Sequence, residues 1–129
     1  NDDPHAIMFL HILTNADKAT IEANVPGNVV AFAENLFEVA QKYNAKATLT
    51  LNGITYDFSG TTGKVAFAQC GHSHYDSIVT YKDIPTIITT NATFNSRFDL
   101  CYVDYAAETP KCKLIRVGEG NDREVNIVT

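Results

Sequence analysis

The sequence predicts one α/β domain that is weighted towards β-strands. Sustained helical periodicity occurs in a single clear stretch, whereas most of the chain consists of short apolar or alternating runs bounded by turn residues. The chain has 129 residues, of which 45% are hydrophobic and 19% charged. That is sufficient for a single domain, residues 1–129, with a core of its own. We therefore expect one helix between strands, followed by an all-β region.

Two short apolar runs predict buried strands, and a histidine follows each of them closely. Ala6–Leu10 is followed directly by His11, and Val65–Cys70 by Gly71 and His72. Gly71 allows a sharp turn at the strand end. Ligand sites in α/β proteins gather at strand ends, which favours a functional role for these histidines. The alternative for His11 is a core histidine that bonds a backbone carbonyl.

The clearest helix is predicted to begin after Asn28, which suits the N-cap position. Asn44 is expected to end it in the left-handed conformation. Between them, apolar residues recur at three- and four-residue spacing, as on the buried face of a helix: Val29, Phe32, Ala33, Leu36, Phe37, Ala40 and Tyr43. This stripe indicates core packing. A second, short helix is possible at Lys18–Ala23 within a long polar connection.

A β-hairpin is predicted over Thr48–Leu51 and Ile54–Phe58, because Asn-Gly at 52–53 is the preferred type I′ turn. The remaining chain predicts strands only. They are expected at Ser77–Tyr81, Thr86–Thr90, Phe98–Tyr105, Lys113–Val117 and Glu124–Val128. The residues at 83–85, Asp-Ile-Pro, are expected to separate the first two of these strands.

Charge and composition exclude some classes of function. The formal net charge is −5 and no basic run occurs, which argues against a nucleic-acid partner. No apolar stretch approaches the roughly 18 residues of a membrane span, and the acidic start of the chain does not resemble a signal peptide. Cellular location is left open. The three cysteines are irregularly spaced, so no disulfide framework is expected, and Cys70 and Cys101 are interpreted as core residues.

Metal binding is the chemistry that the histidines favour. In an extended segment, His72 and His74 point the same way, so they could serve one ion or one each of a metal pair. With His11 they make three imidazoles, a set that suits zinc, iron, manganese or nickel. The alternative for a His-x-His pattern is surface decoration. A nucleophilic Cys70 is disfavoured because a thiol within an apolar run stays protonated.

Three stretches in order resemble the calcineurin-like metallophosphoesterases, from about residue 6 to 124. Gly71-His72-Ser73-His74 after an apolar strand resembles the last motif of that family, and Phe9-Leu10-His11 matches an earlier strand end. Residues 115–123, Ile-Arg-Val-Gly-Glu-Gly-Asn-Asp-Arg, resemble the ending of a subset found in bacterial and phage-encoded proteins.

This resemblance implies the second half of a four-layer fold, a β-sandwich flanked by helices, with a di-metal site at strand ends. His11 and His72 would bind one ion and His74 the other, and a metal-bridging hydroxide would attack a phosphate ester. Asn95 and Arg97 are weaker candidates for substrate contact, with solvated loop residues as the alternative.

The chain departs from the family because the Asp-x-His, Gly-Asp-x-x-Asp and Gly-Asn-His motifs of the first half are absent. The sequence therefore predicts a hydrolase portion that is incomplete and inactive alone, and that needs an upstream half or self-association to cover its exposed apolar surface. The alternative is a non-catalytic structural or interaction module, for instance of a phage or cell-surface protein, that retains the fold.

Overall fold

The computed structural model describes residues 5–10, 32–71, 75–90 and 96–129, and within these ranges it is rich in strands with a single helix. The predicted β-rich α/β class is confirmed. The elements in chain order are β1 (His5–Leu10), α1 (Phe32–Asn44), β2 (Thr48–Leu51), β3 (Ile54–Asp57), β4 (Lys64–Cys70), β5 (Ser77–Tyr81), β6 (Ile84–Ile88), β7 (Phe98–Asp104), β8 (Lys111–Val117) and β9 (Arg123–Asn126). No helix in the described ranges is long and apolar enough to cross a membrane.

The first sheet has the strand order β1-β4-β6-β5. β1, β4 and β6 are parallel, while β5 runs antiparallel to β6. The carboxyl ends of the three parallel strands therefore lie at the same edge, where Leu10 is in register with Cys70 and Cys70 with Ile88. β4 is central and mostly buried because both of its faces are covered.

A β-bulge interrupts the pairing of β1 with β4. Ala6 pairs with Val65 and Ile7 with Phe67, so Ala66 is the extra residue on β4. A bulge breaks the strict alternation of side chains, and Ala66 and Phe67 accordingly both belong to the same buried cluster. The Ala66 carbonyl oxygen accepts a hydrogen bond from Val128 N at 3.0 Å.

The second sheet, β7-β8-β9, packs against one face of the first. Removal of apolar surface from water is the main force that holds the two sheets together. The shared core contains Ala66, Phe67 and Ile87 from the first sheet and Cys112, Leu114 and Ile127 from the second sheet and the segment after it. Helix α1 covers the opposite face of the first sheet, where Phe37 and Ala40 pack on Ala68 and Ile84.

Helix α1 ends at the predicted residue, but that residue does not have the predicted left-handed conformation. Asn44 is the last helical residue, and Lys46, not Asn44, takes the left-handed conformation, with φ +55°. The Asn44 side chain instead pairs with the backbone of β4: Oδ1 accepts from Val65 N at 2.7 Å, and Nδ2 donates to Val65 O at 2.9 Å. Asn44 thus connects the helix to the central strand. Its side chain makes these hydrogen bonds instead of the predicted helix C-cap.

The predicted type I′ turn between β2 and β3 is confirmed, because Asn52 and Gly53 have φ values of +51° and +78°. The predicted separation of β5 from β6 at 83–85 is wrong. Lys82 and Asp83 form the tight turn, with φ +47° and +62°, and β6 begins at Ile84. Pro85 is tolerated near the start of the strand, because pairing with β4 begins only at the next residue.

The expectation that Cys101 is a core residue is also wrong, since it is exposed. Its side chain lies on the same face of β7 as the partly buried Val103, but β7 is the outer strand of the second sheet and the first sheet does not cover it fully. Cys70 is buried as predicted.

The other side of β7 and β8 carries large apolar side chains that face solvent in the described structure. We call this surface the outer apolar face. Its residues are 38–57% exposed: Phe98, Leu100, Tyr102, Ile115 and Val117. Strand pairing places them opposite one another, Phe98 with Val117 and Leu100 with Ile115, so they form one continuous patch.

Candidate functional site

The carboxyl ends of the parallel strands border a cavity of about 370 Å³, which we call the strand-end cavity. Its lining consists of Phe9, Leu10, Gln69, Cys70, Gly71 and Thr89. Thr89 N donates a hydrogen bond to the Cys70 carbonyl oxygen at 3.0 Å, which continues the contact between β4 and β6 beyond the end of β6. Sheets of parallel strands bind ligands at this edge.

Four of the predicted site residues lie outside the part of the chain that the structure describes: His11, His72, His74 and Asn95. The described residues that directly precede the first two are Leu10 and Gly71, and both line the strand-end cavity. The two described positions that precede these histidines in sequence therefore lie on one cavity rim.

Arg97, the remaining predicted residue, is half-buried just before β7. Its Cα and Cβ pack against Gly118, where an added Cβ would lie 3.2 and 3.0 Å from them. It is not among the residues that line the strand-end cavity. Its buried Nε has no hydrogen-bond partner in the described ranges.

An ion network that we call the Asp–Arg cluster connects the two sheets, and it consists of Asp76, Asp99, Arg116 and Arg123. Asp99 Oδ1 accepts a hydrogen bond from Arg116 Nε at 2.7 Å, and Asp99 Oδ2 accepts one from Arg123 Nη2 at 2.5 Å. Asp76 Oδ1 lies 2.9 Å from Arg116 Nη2. Two carboxylates thus face two guanidinium groups, as the high cost of burying an unpaired charge requires.

The Asp–Arg cluster also holds the chain around the end of β6. Thr89 Oγ1 donates to Asp99 Oδ2 at 3.1 Å, and Thr90 N donates to Asp76 Oδ1 at 2.9 Å. Arg123 Nη1 donates to the Ile88 carbonyl oxygen at 2.9 Å. Because Thr89 lines the strand-end cavity as well, one wall of that cavity is fixed directly to the cluster.

The Asp76 carboxylate is ion-paired within this network. Partial burial acts to raise the pKa of the Asp76 carboxyl, but the hydrogen bonds from Arg116 and from Thr90 N, together with the charge of Arg123, outweigh it and lower the pKa below its usual value. Asp76 is therefore ionised at neutral pH and paired with arginine. It anchors the segment that begins after Gly71 instead of offering a free carboxylate.

The arginine- and glycine-containing stretch near the C-terminus has a structural explanation. Arg116 and Arg123 both belong to the Asp–Arg cluster, and Asp122 Oδ1 accepts a hydrogen bond from Arg116 N at 2.8 Å. Gly118 has φ +98°, and an added Cβ would lie 2.8 Å from the Ser96 carbonyl oxygen. Only glycine fits that position without displacement of the backbone.

The stretch that contains both arginines was quoted from the sequence without a role for them, and Asp99 and the anchoring role of Asp76 were missed. A signal for Asp99 was present, because alternation along β7 puts it on the same face as Val103, which packs against the core. A carboxylate on a core-facing position must be paired, and the arginines on the neighbouring strands supply the opposite charge.

Cys70 lines the strand-end cavity but is a poor nucleophile. Burial raises the pKa of its thiol to about 11, so it remains protonated at neutral pH, in agreement with the prediction. No group of three or more histidine, cysteine, aspartate or glutamate side chains in the described ranges could hold a metal ion.

Comparisons of the chain with protein-family models, with curated proteins and with solved structures find no match.

Proposed function

We propose that the chain is the C-terminal portion of a metal-dependent phosphoesterase and that it contributes histidine ligands to a site at the strand-end cavity. One observation carries this proposal. Leu10 and Cys70 are in register at the carboxyl ends of adjacent parallel strands, and the sequence places His11 directly after one and His72 two residues after the other. Strands in one sheet lie about 4.8 Å apart, so both histidines start within reach of one ion.

The proposed chemistry follows from the ligand type. Neutral imidazole suits divalent zinc, iron, manganese or nickel. By resemblance to the metallophosphoesterases, His11 and His72 would hold one ion and His74 the second. The ions would supply a hydroxide near neutral pH and bind the phosphate ester that it attacks. The role of the described residues is to fix the two ends of the segment that carries His72 and His74.

The Asp–Arg cluster supports this positioning role. The segment 72–74 begins after Gly71, at the end of the central strand, and is followed by Tyr75 and by Asp76, which the two arginines hold. Arg116 in turn is bound to Asp99, whose side chain is only 1% exposed. A three-residue connection between two fixed points has few conformations, which reduces the entropy lost when an ion is bound.

The ligand set of this chain is insufficient for catalysis by itself. A di-metal hydrolytic site requires carboxylates that bridge and partly neutralise the ions, whereas Asp76 and Asp99 are already paired with arginine. The proposal therefore includes an upstream segment that supplies the missing carboxylates. The activity belongs to the combination of both parts.

A second candidate function is a non-catalytic interaction module, which the outer apolar face favours. Leu100 at the centre of the patch and Tyr102 at its edge are 54% and 57% exposed on a regular sheet surface. A contiguous apolar patch of this kind is typical of a surface that another protein covers. This candidate predicts a folded chain that is indifferent to chelators.

Metal retention distinguishes the two candidates. The purified chain is loaded with zinc or manganese, desalted and assayed for metal content, beside the double variant His72→Ala/His74→Ala. His5→Ala is the matched control, because His5 lies at the opposite end of β1 from the strand-end cavity. We expect metal to be retained by the parent chain and by His5→Ala but lost from the double variant.

Equal metal content in all three proteins would refute the proposed site, as would the absence of metal from a folded parent chain. Circular dichroism checks that each variant is folded. If metal is retained as expected, addition of an upstream segment that carries the missing carboxylates should restore hydrolysis of a phosphate monoester or diester.

A further inference from the structure

Two cysteine thiols meet across the β7–β8 pair. Cys101 Sγ and Cys112 Sγ are 3.0 Å apart, and no disulfide joins them. The strand register puts Cys101 opposite Leu114 and Cys112 opposite Val103, so the two cysteines are diagonal neighbours on the same face of the sheet. The sulfur atoms need to approach by only about 1 Å to reach the S–S bond length of about 2.05 Å.

The two thiols differ in accessibility. Cys101 is exposed on the outer strand of the second sheet, whereas Cys112 is fully buried in the core between the sheets. Burial and the neighbouring Cys101 thiol raise the pKa of Cys112 far above its usual range. An oxidant dissolved in water can therefore reach Cys101 directly, but it can reach Cys112 only through Cys101.

We propose that Cys101 and Cys112 are a reversible thiol–disulfide pair, in which Cys101 reacts first and Cys112 resolves. The co-reactant is a small soluble disulfide of the glutathione class. The Cys101 thiolate attacks one sulfur of that disulfide and releases one glutathione thiolate, which leaves a mixed disulfide. Cys112 then loses its proton to solvent, and although its thiolate is a minor species, its sulfur lies 3.0 Å from that of Cys101, so it attacks the Cys101 sulfur and releases the second glutathione. One disulfide is reduced to two thiols while two protein thiols become one disulfide.

The geometry also explains why the bond would be reversible. Diagonal neighbours in an antiparallel pair have Cα atoms roughly 7 Å apart, at the upper limit of the range that disulfides span. Formation of the bond must therefore draw β7 and β8 slightly together. Disulfides that require such adjustment are more readily reduced than relaxed structural ones. The pair would respond to the ratio of oxidised to reduced glutathione.

The experiment uses the purified full chain, reduced and then incubated with oxidised glutathione in the absence of metal. Thiols are counted, intact mass is measured, and unreduced protein is digested with trypsin. Cleavage after Lys111 separates the cysteines, so the bond appears as a link between the peptide 98–111 and the dipeptide 112–113. We expect loss of two of the three thiols and recovery of this linked pair, reversed by reduced glutathione.

Single variants test the order of the two steps. In Cys112→Ala the mixed disulfide at Cys101 should persist, and in Cys101→Ala neither remaining thiol should react under native conditions. Cys70→Ala is the matched control, since Cys70 is buried in a different cluster, and it should oxidise as the parent chain does. Because resolution requires the Cys112 thiolate, its rate should rise about tenfold per pH unit between neutral and mildly alkaline pH.

Three results would overturn the proposal: retention of all three thiols, a mixed disulfide at Cys101 that is never displaced in the parent chain, or a disulfide that joins two molecules through Cys101. The peptide map of the parent chain remains decisive even if the Cys112→Ala substitution in the core prevents folding.

Discussion

The Asp99 carboxylate accepts a hydrogen bond from Arg116 Nε at 2.7 Å, and the two side chains are only 1% and 2% exposed. The second oxygen of Asp99 accepts a hydrogen bond from Arg123 Nη2. One buried carboxylate is thus paired with two arginines, which lie on separate strands. Charge-assisted hydrogen bonds of this length are stronger than neutral ones. Asp99 is therefore the residue through which the Asp–Arg cluster connects β7 to β8 and β9.

Asp99→Ala should lower the free energy of unfolding by about 3–5 kcal/mol, because Asp76 would then be the only carboxylate left in the Asp–Arg cluster for two guanidinium groups, and one buried positive charge would be uncompensated. This figure is the cost of the uncompensated charge and not the net worth of the ion pairs. The matched control is Glu124→Ala, which removes the exposed ion pair with Lys111 and should cost about 0–1 kcal/mol. Urea denaturation measures both variants. Similar decreases in the free energy of unfolding for the two variants would show that the buried network stabilises the fold no more than an exposed ion pair does.

The stability of the chain should depend on pH through Asp76. Its folded-state pKa lies below the unfolded value, so the unfolded state binds the proton first as the pH falls. The stabilisation by Asp76 is complete above the unfolded pKa of about 3.9 and is lost as the pH falls through the folded-state value. Asp76→Asn should thus lower the urea midpoint at pH 7.

At a pH below the folded-state pKa of Asp76, the parent chain and Asp76→Asn should approach the same urea midpoint. The side chain of Asp76 is 26% exposed, so solvent screening reduces the difference in urea midpoint between the two proteins at pH 7. A difference between the two proteins that stays constant from pH 7 to that acidic limit would show that ionisation of Asp76 does not contribute.

Gly118→Ala should destabilise the second sheet. The φ value of +98° alone costs a residue with a Cβ about 1–2 kcal/mol, and the contact with the Ser96 carbonyl oxygen adds to this. Gly60→Ala is the matched control, because no atom lies within 4 Å of an added Cβ there and φ is not positive. Thermal unfolding should give a clearly lower midpoint for Gly118→Ala and a nearly unchanged one for Gly60→Ala. Equal midpoints would contradict the close packing at Gly118.

The isolated chain should self-associate through the outer apolar face when no upstream segment covers it. The double variant Leu100→Lys/Ile115→Lys places two like charges opposite each other at the centre of the patch, which should dissociate the oligomer at unchanged secondary structure. Ile54→Lys is the control, since Ile54 is 57% exposed on the separate β2–β3 hairpin. Sedimentation velocity gives the masses. A parent chain that is monomeric at its highest soluble concentration would contradict this prediction.

Features set by local chemistry were predicted well from the sequence. The Asn52-Gly53 turn has the positive φ values that its residue types favour, and the apolar runs of β1 and β4 form adjacent parallel strands. The prediction that both strands are buried is wrong for β1, because it lies at the edge of the sheet and none of its residues is buried. Pro85 misled the prediction, because a rule against proline in strands applies to the middle of a sheet and not to the first residues of β6. The last residue of α1 was predicted correctly, but its left-handed conformation was not, because the Asn44 side chain hydrogen-bonds the backbone of β4 instead of capping its own helix.

The candidate site could be predicted only in part, because the residues that meet there are far apart in the sequence. The sequence predicted the two strands and the histidine after each, but the parallel pairing of β1 with β4, which brings Leu10 and Gly71 to one cavity, was not predicted. The pairing of Asp99 with Arg123 spans the second sheet from β7 to β9, and the pairing of Asp76 with Arg116 depends on how the two sheets are stacked. Sequence periodicity contains no information about that stacking. The exposure of Cys101 likewise results from the position of β7 at the edge of its sheet.

The hydrogen bond from Val128 N to the Ala66 carbonyl oxygen has a consequence for the order in which the molecule folds. Val128 donates this hydrogen bond to the central strand, and Ile127 belongs to the same buried cluster as Phe67. Both residues lie in a segment that is nearly half the chain away from the central strand in sequence. Closing so long a loop is slow, and during synthesis it cannot occur until that segment has left the ribosome. Until then one face of the central strand stays uncovered, and the nascent chain is exposed to aggregation or chaperone binding.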